Sequence, residues 1–379
     1  MSDWIEVLQQ VEMLEDLDLD HSLVTSMQEK WENNSLLPAQ APLRFHTPGF
    51  KSFQSSEIKS CDVEAWPAVS ITGSRCKLQC DHCKAKILEP MLPAETPQAL
   101  WQLVNMLVEK GGKGMLLTGG SNHRNEVEYG KYYSTIRRIK DSFPFFQIAM
   151  HTALVDEDAA TSMEQAGIDV AMMDVIGAQE TITQVYHLKR TVDDFEKTLA
   201  LLVNTKMKVV PHIVIGLHYG RLLGERRALE MLQRYTPDAV VLVVVMPQYA
   251  NMKRPFTTPE SSDVGRFFMH ARESLPDIPV MLGCARPAGL PKMEIDSYAV
   301  MAGLDGIAHP AEGVVEFAAR LGRIVQVSPS CCSVSIGDTL GDALGDEESK
   351  NFLQLNLEEI LSHEQRRRSV FKNVKIGIA

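Results

Sequence analysis

The chain has 379 residues, of which 45% are apolar, 23% charged and 7% aromatic, the make-up of a soluble globular protein able to build a large core. Its 49 acidic residues outnumber 38 lysines and arginines, giving a net charge of −11, which speaks against a nucleic-acid partner. No apolar run reaches the length of a membrane span. The acidic start MSDWIEVLQQVEMLEDLDLD lacks the basic opening and short apolar core of a signal peptide. The expected location is therefore cytoplasmic, without membrane contact.

In chain order, residues 1–42 read as an N-terminal helical extension that closes around Pro38 and Pro42, and 43–66 as irregular, with turn signals at Thr47, Pro48 and Gly49. From Ala68 short β-branched runs alternate with longer amphipathic stretches. Strands are expected at 68–72, 114–118, 146–151, 170–174, 209–215, 239–245, 280–284 and 306–308. Helices are expected near 96–110, 130–141, 156–166, 191–204, 222–234, 260–274, 291–302 and 312–321. Such alternation demands a parallel sheet, because parallel strands need crossover connections. Eight units predict an α/β fold of the (β/α)8 TIM-barrel type, complete or partial, over residues 43–323. A doubly wound open sheet is the alternative. Residues 324–379 form a C-terminal tail outside the rhythm, opening near VSPSCCSVS and ending in a charged helix near 346–370.

Seven cysteines, Cys61, Cys76, Cys80, Cys83, Cys284, Cys331 and Cys332, point in a reducing compartment to metal ligation or catalysis. The central motif is Cys76-Lys-Leu-Gln-Cys80-Asp-His-Cys83, directly after the first expected strand, at the end of a barrel where active sites sit. Three thiolates spaced by three and two residues can wrap one corner of a 4Fe–4S cluster, which normally takes four cysteines, so one iron would be left open. A structural zinc site usually needs four ligands, often from two paired arms, and one arm is present. The triplet resembles that of the radical S-adenosylmethionine (SAM) superfamily. The resemblance implies that the open iron chelates SAM and that SAM is cleaved to methionine and a 5′-deoxyadenosyl radical.

Other segments fit the same resemblance. His82, before the last cysteine, stands where an aromatic residue often packs on adenine. Thr118-Gly119-Gly120-Ser121 resembles the Gly-Gly-Glu motif that meets the SAM amino group, with Ser121 replacing the acid. Glycines there let the backbone approach a ligand closely. Asp174, ending the fourth strand, is the candidate ribose ligand, with helix N-capping as its plainer role. Gly216-Leu217 followed by Gly224-Glu225 resembles the strand-five signature of biotin-synthase-like enzymes, which packs on adenine. His151 and His212 lie on strands and are candidates to face the barrel mouth, or else satisfied core histidines.

Cys284 ends the seventh strand, at the same barrel mouth as the triplet. Cys331 and Cys332 open a tail that can fold back over that mouth, so three thiols from two segments can ligate a second, auxiliary iron–sulfur cluster. Ser330, Ser333 and Arg286 are local candidates for a non-cysteine ligand. Cys61 precedes the first strand and is expected nearer the opposite end. Val69–Gly73, Thr118–Ser121, Asp174–Gly177, Pro211-His212, Leu282-Gly283-Cys284-Ala285-Arg286-Pro287 and Cys331-Cys332 together resemble the biotin-synthase-related components of two-component (split) lipoyl synthases, over about residues 43–335.

This resemblance implies a sulfurtransferase that inserts sulfur into a protein-bound octanoyl chain, with the auxiliary cluster as sacrificial sulfur donor. Its implied partners are an octanoylated carrier protein or peptide, a paralogous second synthase component, and an electron donor such as ferredoxin or flavodoxin. The alternatives are another biotin-synthase-like reaction, such as dethiobiotin sulfuration or a rearrangement, and a non-enzymatic iron–sulfur or zinc scaffold. Basic clusters at Arg221, Arg226 and Arg227 and at Arg366–Arg368 are read as solvated helix faces or as a docking patch for an acidic protein.

Overall fold

The computed structural model describes residues 3–33, 42–49, 55–58 and 66–334. Cys61, the basic run 366–368 and the terminal helix expected near 346–370 lie outside these residues.

The chain opens with helices α1 (Trp4–Leu8) and α2 (His21–Glu32), then strands β1 (Pro42–His46), β2 (Ala68–Ser70) and β3 (Leu92–Pro93). It continues through α3 (Pro97–Glu109), β4 (Gly114–Thr118), α4 (Tyr133–Ser142), β5 (Gln147–His151), α5 (Glu157–Ala166) and β6 (Val170–Met172). Next come α6 (Gln179–Gln184), α7 (Val192–Val203), β7 (Lys208–Val209), β8 (His212–Ile215), α8 (Glu225–Tyr235) and β9 (Val240–Val244). The last elements are α9 (Ser261–Ser274), β10 (Val280–Leu282), α10 (Leu290–Met301), β11 (Gly306–Ala308), α11 (Val314–Arg320) and β12 (Ile324–Ser328). All eight expected strands and all eight expected helices are present.

Local chemistry sets the helix starts. Thr96 accepts from the Ala99 amide with Pro97 in the first turn of α3, Asp156 accepts from Ala159 at α5, and Thr191 and Asp194 close a reciprocal box at α7. Strands such as Val240–Val244 are buried on both faces, as a parallel sheet under helices requires.

All strand pairs are parallel, in the orders β3-β2-β4-β5-β6-β7 and β12-β1-β11-β10-β9-β8. The two halves are one sheet, because β7 runs into β8 through Val210 and Pro211. Val210 and His212 donate backward to Ala171 and Met173, while the Pro211 carbonyl accepts forward from Val241. Pro211 offers no N–H on the β9 side, which interrupts the ladder and splits the strand.

The ladder does not close among the described residues. The expected neighbour of β11 is β2, but β1 takes that edge and β12 covers β1. A single backbone hydrogen bond, Gly49 N to Trp66 O at 3.1 Å, crosses the seam. The fold is thus a parallel α/β sheet curled as an incomplete barrel. Two expectations change here. The stretch read as irregular begins with a strand, and the tail begins with another. Both are short and flanked by turn residues, and each is stabilised by its long-range partner rather than by a local pattern.

Outside the barrel, α2 packs on α9 and α10. Trp4 and Trp31 meet edge to face at 5.4 Å, and the Tyr298 hydroxyl accepts from the Asp20 amide at 2.8 Å.

The loop after β10 is locked by a buried ion pair. Arg286 Nε lies 2.5 Å from Asp296 Oδ1 on α10, and its other nitrogens donate to the Gly283 and His309 carbonyls. Asp296 also accepts from the Ala311 amide at 2.7 Å. Asp296→Ala would leave a buried guanidinium uncompensated, with an expected loss of about 3–5 kcal/mol, checked by thermal and urea denaturation against wild type.

Candidate active site

A cavity of about 300 Å3 opens at the C-terminal ends of the strands. The loop after β2 brings in the cysteine triplet, and all three thiols line the cavity. This loop is seated on the turn after β4. Thr72 Oγ1 accepts from the Gly120 amide at 2.7 Å, the Lys77 amide donates to the Ser121 carbonyl at 2.9 Å, and Cys76 Sγ lies 3.7 Å from that same oxygen. A Cβ on Gly120 would stand 2.0 Å from the Arg75 carbonyl and 2.6 Å from Cys76 Cα. Gly120 is therefore required first for the approach of the cysteine loop, a backbone–backbone contact, whereas a Cβ on Gly119 would meet the side chains of Ile71, Val127 and Thr72.

The thiols interact electrostatically. Burial pushes Cys80 well above its ordinary range, and Cys83 and Cys76 add to the rise. Burial opposes ionisation of Cys83 too, but the His82 imidazole outweighs it and holds that thiol below its usual value. His82 stacks at a tilt on Tyr186, 5.1 Å between ring centres.

Asp81 ties the loop to the rim of the cavity. Its carboxylate is 2% exposed and meets Lys84 at 3.0 Å, His187 at 3.1 Å and Arg254 at 3.3 Å. It also accepts from Asn251 Nδ2 at 3.1 Å and Tyr219 Oη at 3.4 Å, and its backbone pairs with Val185 and Asn251. Burial alone would raise this acid, but these donors hold it well below the carboxylate range. The cysteine loop, the turn after α6, and the loops after β8 and β9 thus form one hydrogen-bonded unit.

On the floor, Asp174 follows β6, with His151 Nε2 of β5 3.6 Å away and Tyr186 Oη at 3.5 Å. Burial works against its ionisation, but His151, His212 and His82 bring it down to about 2. His212 faces His151 at 5.6 Å and is pushed down to about 4, first by burial and then by His151. It is neutral at pH 7.

The second cysteine group lines the same cavity. Cys284 follows β10, and Cys331, Cys332 and Ser333 follow β12. The segment after β12 turns into the barrel, where Cys332 and Val334 pack with Trp66, Met172, Val241 and Met281, and Cys284 and Cys331 lie against this cluster. Cys331 donates toward Ser333 Oγ at 3.7 Å. The hydrogen bond from Cys332 draws the Cys331 thiol down to about 7 and raises that of Cys332, which also feels Cys284.

The candidates thus converge, with exceptions. Cys76, Cys80, Cys83, His82, Thr118, Gly119, Gly120, Ser121, His151, Asp174, His212, Cys284, Cys331 and Cys332 all line the cavity. Gly216 and Glu225 do not. Glu225 is 5% exposed at the start of α8 and accepts from the Gly216 amide at 2.9 Å, so it fixes the loop after β8. Arg286 is occupied with Asp296 and two carbonyls, and Ser330 bonds Ser328. Of the three non-cysteine candidates, Ser333 is the one on the cavity wall. Sequence reasoning passed over Asp81, Tyr186 and Trp66. An acid inside a three-cysteine motif was the signal for the first, and the others carry no pattern of their own.

Residues 70–247, a little under half of the chain, match the family model of the radical SAM superfamily. The fold resembles HydG, a maturase of the [FeFe]-hydrogenase, at 12% identity and a TM-score of 0.56, covering 99% of this chain and 94% of that one. It also resembles HydG from Carboxydothermus hydrogenoformans at 12% identity and 0.54, covering 95% and 89%. Methylornithine synthase (PylB) matches at 12% and 0.50, covering 81% and 86%. No curated protein matches the chain. Among the described residues no helix is long and apolar enough to cross a membrane.

Membership of that superfamily would imply a 4Fe–4S cluster and SAM. The chemistry of the side chains suits such a group, since three thiols share one cavity beside a glycine turn and an acid at a strand end, although among the described residues no three stand at metal-ligating spacing in this structure. Gly120→Ala should weaken cluster retention about 10–100-fold, the range for groups that orient metal ligands, with helix content unchanged. Iron and sulfide quantification beside circular dichroism checks this.

Proposed function

We propose that this enzyme inserts sulfur into a protein-bound octanoyl chain, in lipoyl cofactor synthesis. One observation carries the reading: two cysteine groups, Cys76/Cys80/Cys83 and Cys284/Cys331/Cys332, line a single cavity whose interior is apolar. The first group would hold the SAM-binding cluster, and the second an auxiliary cluster as sulfur source. Thr118, Gly119, Gly120, Ser121, His82, His151 and Asp174 would contact SAM, with Asp174 as an ionised partner for ribose hydroxyls.

When bound, the cluster and SAM supply a radical able to take hydrogen from an unactivated carbon. The chain's own part is shape and exclusion. Trp66, Leu116, Met172, Val241 and Val243 line the cavity, and an alkyl chain is held there by burial against them. The same apolar wall keeps water out of the site. The octanoylated carrier, a paralogous partner component and a low-potential electron donor belong to the same proposal.

Wild type is expected to bind about eight irons per chain, two 4Fe–4S clusters. The Cys76/Cys80/Cys83→Ala variant should keep about half of that. Cys284→Ala should still release 5′-deoxyadenosine from SAM and reductant but yield no sulfurated octanoyl peptide by mass spectrometry. A variant without residual iron, or a Cys284→Ala enzyme with full product yield, sinks the reading and favours a rearrangement that needs one cluster. Wild type that forms no 5′-deoxyadenosine leaves a non-enzymatic scaffold.

A further inference from the structure

The loops after β8 and β9 carry three large apolar side chains that the fold leaves in solvent. Leu222 is 40% exposed, Leu223 42% and Met252 93%. Exposed apolar groups of this size on neighbouring loops are candidates for a contact surface.

The two loops are joined. Thr257 donates from both its amide and its hydroxyl to the Tyr219 carbonyl, Tyr219 and Phe256 rings sit 4.9 Å apart, and a Cβ on Gly220 would stand 2.2 Å from the Thr257 carbonyl. The second loop reaches the cavity's edge, since Met246 and Tyr249 line it. Through Arg254 and Tyr219 they are fastened to Asp81 within the cysteine motif.

Their charge is mainly basic. Across 216–224 and 247–259 the charged residues are Arg221, Lys253 and Arg254, while exposed Glu260 follows directly and Glu180 faces His218 beside Arg221. Arg221 and Lys253 are exposed, and Arg226 and Arg227 are exposed on the adjoining first turn of α8. Two joined loops that expose more basic than acidic side chains together with leucines and a methionine complement an acidic protein surface with a small apolar patch.

We infer that these two loops are the docking surface for an acidic carrier domain, which presents its octanoyl chain to the cavity from this side. The inference rests on the sulfur-insertion reading for what the carrier delivers, but the docking itself is measurable without turnover. Docking here would fix the carrier relative to the cysteine loop, because Asp81 joins the two.

The test compares wild type with Arg221→Glu/Lys253→Glu and with Leu222→Ser/Met252→Ser, none of which touches the cavity wall. Two probes are used: an octanoylated carrier domain of acidic net charge, and a short octanoyl-lysyl peptide. Expected is a rise in KM of about tenfold or more for the carrier in the charge-reversed variant, with kcat and the peptide KM unchanged. The wild-type carrier KM should also rise with ionic strength. Direct binding of the unacylated carrier should weaken by the same factor. Equal effects on both probes, no effect on either, or no carrier binding by wild type overturns the inference. So does concentration-dependent dimerisation that the same variants abolish, which would assign the surface to a second copy of this chain. If wild type binds the carrier but sulfurates neither probe, the sulfur-insertion reading fails while the docking surface stands.

Discussion

The pairing of β1 with β12 is the constraint on which the second cysteine group depends. Five residue pairs, from Pro42 with Ile324 to His46 with Ser328, lie in parallel register, and the Thr47 amide continues the ladder to the Ser328 carbonyl. Buried His46, pushed down to about 3 mainly by burial, is neutral and its Nδ1 lies 3.3 Å from the Ser330 carbonyl. With β12 held at the seam, the following residues have one way to run, inward, and Cys331 and Cys332 arrive inside the sheet. A fully closed ring would have left no seam for them. The incompleteness of the barrel and the presence of thiols in its lumen are thus the same fact seen from two sides.

The triplet is built differently. Its position is set by close backbone contact with the turn after β4 and by the contacts of Asp81, so it belongs to the rim rather than to the lumen. One cysteine group is carried by polar, hydrogen-bonded loops, and the other by apolar packing against Trp66 and Met172. That difference leaves the first group on polar loops and the second against an apolar wall.

The alternating pattern made the eight central strands and helices legible, because each is a local run with its own period and caps. It could not show β1 or β12, each five residues long and given meaning only by a partner far away in sequence. Among site residues, those in motifs with fixed spacing converged as expected. Gly216 and Glu225 did not reach the cavity, because Glu225 is spent on the Gly216 amide, a supporting role that a motif match does not separate from contact. Arg286 looked available in sequence, but its partner Asp296 is on the next helix and is visible only in three dimensions.

Gly177 and Gly224 cross one another where the loops after β6 and β8 meet. A Cβ on Gly177 would stand 2.1 Å from the Gly224 carbonyl, and one on Gly224, whose φ is +100°, would stand 2.5 Å from the Ala178 nitrogen. Neither position has room that the other could yield. In evolutionary terms the two sites are a single character: among related chains they are expected to be retained together or lost together with a shortened loop. Counting such joint losses would trace when the floor holding Asp174 and the rim holding Arg221 became one inherited unit.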